Sequence, residues 1–198
     1  MRIGIFGGTF DPPHVGHLIL AEECRTQLKL DRLLWVVTDN PPHKRYVSIS
    51  PIEDRVRLVE QAITGNEAFV LSRVDIDRPT PHFAIDTVNI LKNENPEAEF
   101  FYLMGGDSLH DLPTWNRPND FIKLCDGIGV MRRHADQVDL ASLEKLLPGI
   151  SQKVLIVDAP ILEISSKEIR QRINEGQGYR YYLRDAVYRA VLDLGLYR

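Results

Sequence analysis

The chain has 198 residues, of which 43% are hydrophobic, and it carries a formal net charge of −4. A chain of this length buries the core of one ordinary domain, so we expect residues 1–198 to fold as a single domain. Proteins that bind nucleic acids or anionic membranes carry a basic excess, so the acidic balance argues against both partners and favours a small ligand.

The cysteines and the hydropathy pattern indicate the cellular compartment. Cys24 and Cys125 both lie in apolar patterns, so we expect buried free thiols rather than a disulfide, and no CxxC spacing suggests zinc. The amino terminus has no signal-peptide pattern, and no apolar run approaches the roughly 20 residues that span a bilayer. The sequence therefore predicts a cytoplasmic protein with no membrane partner.

The first predicted element is a short buried strand at residues 3–6, which leads into the run GGTFDPPHVGH at residues 7–17. Gly7 and Gly8 end the strand where the backbone turns tightly or approaches a ligand, and the two prolines interrupt regular structure. A helical apolar pattern follows from Leu18 to Leu28. A glycine loop beside a helix amino terminus is typical of a phosphate site.

Two histidines lie within this run. His14 and His17 are three residues apart, so a helical turn places both imidazoles on one side, and Gly16 leaves room for close approach. Two donors aimed at one phosphoryl group would stabilise the charge that builds there during transfer. A lone histidine at a helix start is more often a surface or capping residue, but the pairing favours a site. The pattern is neither GxGxxG nor GxxxxGK[ST].

The second predicted strand is the continuous apolar run at residues 32–38, as expected for a parallel strand covered on both faces. Residues 39–50, DNPPHKRYVSIS, then form an exposed loop at the carboxyl end of that strand. Lys44 and Arg45 either reach ligand phosphates or form a solvated surface pair. At the next helix we expect Ser50 as the cap and Pro51 as the first helical residue.

Strands are also predicted at residues 69–74 and 100–104, with a proline-broken loop and a helix between them. Gly105, Gly106 and Asp107 follow the later strand as a second glycine turn carrying a carboxylate. An acidic residue at this place binds ribose hydroxyls in dinucleotide-binding folds, although an ordinary helix N-cap is the alternative for Asp107.

Trp115 lies between turn-forming residues, outside any apolar period. Its indole either stacks on a flat heterocycle or caps the core. A strand at residues 127–131 then ends in Arg132, Arg133 and His134, whose charges would line a nucleotide site. We expect an amphipathic helix over residues 135–149 and a last strand at residues 154–157.

The segment ILEISSKEIRQRI is the second strong signal. Ser165 precedes a helix and Glu168 follows three residues later, which predicts a capping box. Ser166, Lys167 and Arg170 also bring hydroxyls and cations to a helix amino terminus, which suits a polyphosphate. Short apolar strands thus alternate with amphipathic helices throughout, so the fold class is α/β, Rossmann-like, with a central mostly parallel sheet flanked by helices.

Five segments together resemble one family: GGTFDPPHVGH, NPPHK, IDT at residues 85–87, GGDSLHDLPTW and ISSKEIR. Over nearly its whole length the chain is similar to the bacterial nicotinate mononucleotide adenylyltransferases, within the nucleotidyltransferases that carry HxGH and ISSxxIR motifs. The resemblance implies AMP transfer from ATP to nicotinate mononucleotide, forming deamido-NAD and pyrophosphate in NAD biosynthesis. It also implies Mg²⁺ brought with ATP, no metal held by the protein alone, and a helical carboxyl-terminal part from about residue 160 packed on the nucleotide-binding core.

The same resemblance assigns site residues. The catalytic residues would be His14, His17, Lys44 and Arg170. The ATP-binding residues would be Gly7, Gly8, Thr9, Phe10, His14, His17, Gly105, Asp107, Arg133, Ile164, Ser165, Ser166 and Arg170. The substrate-binding residues would be Lys44, Phe83, Ala84, Asp107, Leu112 and Trp115, with Trp115 stacked on the pyridine ring and the amides near Phe83 and Ala84 on its carboxylate.

Three departures from the family pattern leave alternatives open. Phe83-Ala84 stands where tyrosine-threonine is common, so acid-versus-amide selectivity is undecided. Arg132-Arg133-His134 replaces arginine-proline-glycine, which leaves the nucleotide-contacting arginine undecided, and Lys167 stands where threonine is common. The acceptor could be nicotinamide mononucleotide or another phosphorylated compound, and a non-catalytic nucleotide sensor is the alternative from another class. A homo-oligomer is compatible with the sequence.

Overall fold

A sheet of parallel strands lies between two layers of helices. The computed structural model of the chain describes residues 1–38, 49–132 and 139–198. The strands are β1 (Arg2–Gly8), β2 (Arg32–Val37), β3 (Phe69–Ser72), β4 (Glu99–Gly105), β5 (Gly127–Arg132) and β6 (Val154–Asp158). Within the described residues they form one six-stranded sheet in the order β3-β2-β1-β4-β5-β6, and every neighbouring pair is parallel.

The helices connect these strands. They are α1 (Val15–Gln27), α2 (Ile52–Ile63), α3 (Ala84–Glu94), α4 (Gly106–Asp111), α5 (Pro118–Leu124), α6 (Leu140–Leu146), α7 (Ile150–Lys153), α8 (Ser166–Asn174) and α9 (Asp185–Asp193). Short 3₁₀ turns lie at Leu112–Thr114 and Arg180–Tyr182. None of the helices in the described part of the chain is long and apolar enough to cross a membrane.

Side-chain alternation along the strands divides the core into two layers. Ile3 and Ile5 of β1 face one layer, while Phe6 faces the other, because successive strand residues point to opposite sides of a sheet. The first layer packs α1, α2, α8 and α9 against the sheet. The second layer packs α3 to α7 against the opposite face. Both faces are covered, which explains why the strands read as nearly continuous apolar runs.

The strand order fixes where a ligand can bind. From β1 the chain runs outward through β2 to β3. It then returns to β4, beside β1, and runs outward in the opposite direction through β5 to β6, so the strand order reverses between β1 and β4. In open parallel sheets such a reversal opens a crevice outside the carboxyl ends of the two strands. The carboxyl ends of β1 and β4 lie at this edge, so the residues around Gly8 and Gly105 flank the crevice.

The predicted fold class is confirmed, and the sheet is wholly parallel across the described strands. Three local predictions were wrong. The strand predicted at residues 69–74 ends at Ser72. Pro51 is the N-cap of α2 rather than its first residue, so Ser50 lies outside the helix. Of the helix predicted over residues 135–149, positions 135–138 lie outside the described residues. Within the described part α6 begins at Leu140 and ends at Leu146, and Gly149, with φ 91° in the left-handed region, is the N-cap of α7.

The carboxyl-terminal part packs on the first layer. Arg184 lies just before α9 and donates from Nη1 to the carbonyls of Ala62 and Thr64, each at 2.7 Å. Cys24 and Cys125 are buried free thiols, as predicted, and burial raises the pKa of each to about 12. Neither thiol is therefore suited to act as a nucleophile near neutral pH.

Candidate active site

A cleft of about 640 Å³ opens at the carboxyl edge of the sheet. Its walls come from the end of β1, the first turns of α1, the end of β4 and the segment that leads into α8. The lining residues include Gly7, Gly8, Phe10, His14, His17, Gly105, Ile164, Ser165, Ser166, Lys167 and Arg170. The two strongest sequence motifs therefore meet at one cavity, as the sequence predicted.

The turn after β1 differs from the prediction. Gly7 and Gly8 remain in the strand, and the residue in the left-handed region is Phe10, with φ 49°. A Cβ on Gly8 would lie 2.7 Å from the Phe10 ring, so Gly8 makes room for that ring rather than for a turn. Phe10 is buried, with its ring centroid 5.0 Å from that of Trp35 and 5.2 Å from that of His17. Aromatic packing therefore stabilises the strained residue.

The two histidines form a stacked pair at the start of α1. Their ring centroids lie 3.7 Å apart with an interplanar angle of 29°. The backbone N–H of His14, the N-cap, donates to Nδ1 of His17 at 3.2 Å. Because Nδ1 of His17 accepts this bond, the neutral ring carries its proton on Nε2. His17 therefore has a donor in a fixed orientation, as a stabiliser of developing phosphoryl charge requires.

His14 is neutral at physiological pH. Its side chain is 6% exposed, and the loss of solvation lowers its pKa to about 4. Its buried Nδ1 has no hydrogen-bond partner among residues 1–38, 49–132 and 139–198. A Cβ on Gly16 would lie 3.0 Å from this nitrogen, so the glycine leaves room for the imidazole itself. A neutral ring also avoids placing two positive charges in the stacked pair.

The amino end of α8 holds the turn that precedes the histidines. Ser166 Oγ donates to the carbonyl of Pro12 at 2.8 Å, and Arg170 Nη1 donates to the carbonyl of Asp11 at 2.7 Å. These bonds join segments more than 150 residues apart in the sequence. Ser166 and Arg170 thus order the turn at residues 9–13 in addition to lining the cleft.

Half of the predicted capping box is present at α8. Ser165 Oγ accepts from the backbone N–H of Glu168 at 3.1 Å. The Glu168 carboxylate instead accepts from Arg172 Nε, at 3.1 Å, one turn further along the helix. Lys167 is exposed, so the start of α8 presents a hydroxyl, a cation and a helix amino terminus to the cleft.

Arg55 was missed by the sequence reasoning. It is 1% exposed, and its guanidinium donates to the carbonyls of Thr9 at 2.9 Å, Thr38 at 2.8 Å and Ser50 at 3.0 Å. These carbonyls belong to the turn after β1 and to both described ends of the connection from β2 to α2. The sequence did indicate a buried arginine, because Arg55 lies three residues after Ile52, on the apolar face of α2.

Asp11 was considered only as a turn residue, but it is 3% exposed. Its Oδ2 accepts from the backbone N–H of Ser50 at 3.2 Å, and its Oδ1 accepts from the Tyr197 hydroxyl at 2.6 Å. No sequence pattern relates Asp11 to Tyr197, which lies 186 residues further along the chain.

The residues predicted to bind the pyridine ring lie on the second layer. Phe83 is the N-cap of α3 and Ala84 its first residue, so both backbone N–H groups lie at a helix amino terminus. Leu112 is fully buried, so its predicted contact with the substrate stays a prediction. Trp115 is partly buried, with its ring centroid 6.0 Å from Tyr102 and 5.5 Å from Phe121. Trp115 thus packs against the core and keeps an exposed part.

A buried ion pair fixes the loop before α3. Arg78 donates to Asp75 at 2.9 Å and to the carbonyl of Phe83 at 3.2 Å, and the Thr87 hydroxyl donates to the same carboxylate at 2.7 Å. The threonine belongs to the IDT segment. The Thr87 hydroxyl therefore joins the first turns of α3 to the loop that precedes the helix.

Gly105 is the N-cap of α4, and Asp107 lies exposed in the first turn of that helix. The N-cap alternative for Asp107 is therefore wrong, and a ribose contact stays a prediction. Arg132 ends β5. The phosphate contacts predicted for Lys44 and Arg45, and the nucleotide contacts predicted for Arg133 and His134, fall outside the described residues.

The cleft lies at the strand-order reversal of a parallel sheet, the place where folds of this kind bind nucleotides. Comparison with known proteins identifies the family. Residues 5–172 match the Cytidylyltransferase-like family. A probable nicotinate-nucleotide adenylyltransferase of Thermomicrobium roseum is 42% identical over 197 residues, covering 100% of this chain and 92% of the relative. One from Dehalococcoides mccartyi is 37% identical over 198 residues, covering 100% of this chain and 97% of the relative.

Solved structures have the same fold. The nicotinic acid mononucleotide adenylyltransferase of Plasmodium falciparum complexed with NaAD aligns with a TM-score of 0.80 at 19% identity, covering 99% of this chain and 97% of that one. The same enzyme complexed with APC aligns with a TM-score of 0.78, covering 99% and 96%. The chain belongs to the Cytidylyltransferase-like family and, within it, to the nicotinate-nucleotide adenylyltransferases.

Proposed function

We propose that this protein transfers AMP from ATP to nicotinate mononucleotide and releases deamido-NAD and pyrophosphate, a step of NAD biosynthesis. The observation that carries the proposal is the convergence of the stacked histidines and the start of α8 on one cleft. The relatives named above are adenylyltransferases of this type, and the Plasmodium enzyme binds NaAD. We place the reaction in the cytoplasm, which suits the two free thiols.

The reaction needs no nucleophile from the protein. An oxygen of the acceptor 5′-phosphate attacks the α-phosphorus of ATP, the bond from that phosphorus to the bridging oxygen of the β-phosphate breaks, and pyrophosphate leaves. The protein lowers the barrier by holding the two nucleotides in line and by stabilising charge on the transferred group.

His17 is the donor best placed for that charge. Its Nδ1 is occupied by the His14 N–H, so Nε2–H is the donor that can point at an α-phosphate oxygen. His14 lies against the His17 ring and stays neutral near pH 7, because burial lowers its pKa to about 4. We therefore assign His14 a role in positioning and hydrogen bonding rather than as a positive charge.

The start of α8 would bind the departing pyrophosphate. Ser165 and Lys167 are exposed beside the helix amino terminus, and Arg170 has donors beyond the one it gives to Asp11. Main-chain and apolar contacts to ATP would come from Gly7, Gly8, Thr9, Phe10 and Ile164. Phe10 would contribute through its main chain, because its ring packs against Trp35. Lys44 and Arg133 complete the proposed set for the phosphates and the nucleotide.

Mg²⁺ would reach the site with ATP. The described ranges contain no group of three or more His, Cys, Asp or Glu side chains that could hold a metal ion. Oxygens of the triphosphate and water are the ligands that Mg²⁺ commonly uses in such sites, where it neutralises the leaving group.

The acceptor would bind across the crevice, on the second layer. Main-chain N–H groups at Phe83 and Ala84 would meet the pyridine carboxylate, with Trp115 against the ring and Asp107 on a ribose hydroxyl. A helix amino terminus attracts an anion, so N–H donors without side-chain hydroxyls favour nicotinate over the neutral amide. Comparing kcat/KM for the acid and amide mononucleotides tests this choice, and equal values would contradict it.

The reaction itself is tested by incubating the protein with ATP, Mg²⁺ and nicotinate mononucleotide and separating the products chromatographically. We expect deamido-NAD and pyrophosphate in equal amounts. ATP binding without product from any pyridine mononucleotide would instead favour a nucleotide sensor and refute the enzyme assignment.

A further inference from the structure

The buried Asp11 carboxylate is the centre of a polar cluster behind the turn at residues 9–13. One oxygen accepts from the backbone of Ser50 and the other from the hydroxyl of Tyr197, at 3.2 and 2.6 Å. The carbonyls of Asp11 and Pro12 accept from Arg170 and Ser166. Three separate parts of the chain therefore hold one dipeptide, and His14 begins the helix two residues later.

Tyr197 is the most distant of these partners in sequence, and it is well anchored. Its ring packs against the first hydrophobic layer, and its backbone has a φ of 68° in the left-handed region. Burial, followed by the nearby carboxylate, raises the pKa of its hydroxyl, which therefore stays protonated and donates. Because the Tyr197 ring is held in place by this packing, its hydroxyl donates to Asp11 from a fixed position.

A carboxylate that is 3% exposed depends on its donors, because losing one leaves an oxygen without a hydrogen bond and away from water. Rotation of Asp11 to find another donor would shift the adjoining Pro12 carbonyl. That shift would reach the His14 N–H, which sets the ring orientation and the tautomer of His17. The hydroxyl of Tyr197 is thus linked to the donor of His17 by consecutive contacts.

We propose that Tyr197 is a positioning residue for the histidine pair and acts through Asp11. Its kinetic consequence rests on the proposed function, whereas its structural consequence does not. Tyr197 lies outside the lining of the cleft, so its contribution is to geometry rather than to contact with a nucleotide.

The test compares Tyr197→Phe with Tyr181→Phe. The first removes only the hydroxyl that reaches Asp11, and the second removes a hydroxyl from a tyrosine that is 89% exposed. We expect Tyr197→Phe to lower kcat by about tenfold, with little change in the KM for ATP, since small misplacements of catalytic groups carry penalties of this size or greater. Tyr181→Phe should behave like the wild type. Asp11→Asn keeps the shape of the side chain but leaves one acceptor oxygen for two donors, the Tyr197 hydroxyl and the Ser50 N–H, so it should also lower kcat.

Two further measurements separate positioning from general destabilisation. In a His17→Ala background, Tyr197→Phe should lower the remaining kcat by less than about threefold, because the His17 donor whose orientation it fixes through the His14 N–H is gone. An undiminished tenfold loss there, or wild-type kcat in the single variant, would overturn the inference.

Ring resonances of the histidines, followed by NMR without substrates, should shift in Tyr197→Phe and not in Tyr181→Phe. Unchanged resonances would also overturn the positioning role of Tyr197. If the resonances shifted but the wild-type protein made no dinucleotide, the proposed function would be refuted and the positioning role would stand.

Discussion

The two sides of the crevice are built by different physical means. On the first layer, the turn at residues 9–13 is held by hydrogen bonds from distant parts of the chain, donated by Ser166, Arg170, Arg55 and Tyr197. On the second layer, a local Arg78–Asp75 ion pair fixes the loop before α3, but the groups that would face a ligand are Trp115, which rests on aromatic neighbours, and the main-chain N–H groups of α3. The difference suggests that transfer chemistry depends on directional polar contacts, whereas acceptor binding depends on apolar packing and a helix end. The predictions below test that division.

Arg55→Met should produce the largest effect on stability. The substitution leaves three carbonyls, those of Thr9, Thr38 and Ser50, without their guanidinium partner inside the protein. Breaking such a buried polar cluster is expected to lower the free energy of unfolding by about 3–5 kcal/mol. Urea unfolding would measure it, with Arg189→Met, at an exposed arginine of α9, as the matched control. A loss near that of the control would show that the polar contacts are dispensable.

His17→Ala should lower kcat by at least about a hundredfold while ATP affinity changes little, as for loss of a donor used in the transition state. His110→Ala, at an exposed histidine of α4, is the control. Steady-state kinetics and equilibrium binding of ATP measure the two quantities separately. If kcat were unchanged, His17 would have no part in catalysis and the first layer would lose its assigned role.

The buried imidazole of His14 predicts an acid-sensitive fold. The unfolded chain takes up a proton near pH 6.5, whereas the folded ring resists protonation down to about pH 4. The contribution of the buried His14 ring to the free energy of unfolding is therefore complete above pH 6.5. It is lost as the pH falls toward 4, by up to about 3 kcal/mol in all. Unfolding free energies measured across this range should fall less steeply in His14→Asn than in the wild type. Parallel curves for the two proteins would contradict the burial of a neutral ring.

Trp115→Ala should affect the acceptor alone. We expect the KM for nicotinate mononucleotide to rise by about tenfold and the KM for ATP to stay near its wild-type value, because aromatic stacking contributes on the order of 1–3 kcal/mol per ring. The ring also contacts Phe121, so a thermal melt must accompany the kinetics. Equal changes in both KM values would indicate that the two sides of the crevice are not separable.

Ser165→Ala should have the smallest effect. Loss of the bond from Glu168 N–H to Ser165 Oγ is expected to destabilise the protein by about 1 kcal/mol. Thermal unfolding measures the change. A loss of kcat greatly exceeding the loss of stability would support the proposed contact of this hydroxyl with the departing pyrophosphate, whereas an unchanged kcat would mean that Ser165 acts only as the helix cap.

Local patterns in the sequence predicted much of the fold and part of the site. The apolar runs located the strands, helical spacing placed His14 and His17 on one side, and the serine before α8 identified its cap. These features depend on residues that are neighbours in the chain. The conformation of Phe10 was not predictable in this way, because its left-handed backbone is stabilised by Trp35 from another strand.

The polar contacts behind the site depend on tertiary structure. Tyr197 and Asp11 meet only after the terminal helix packs on the first layer, so no periodicity in the sequence relates them. Arg55 was the exception, since a charged residue on the apolar face of a helix signals a buried partner. Trp115 was left undecided because propensity does not distinguish packing from stacking, and in the folded chain it has both a packed and an exposed part.

One guanidinium binds the carbonyls of both Thr38 and Ser50, the residues that flank the connection from β2 to α2. A single buried side chain therefore sets the separation of these two residues from within the body of the protein. Any substitution of Arg55 acts on both described ends of the connection at once, so a defect at the edge of β2 and one at the start of α2 should appear together.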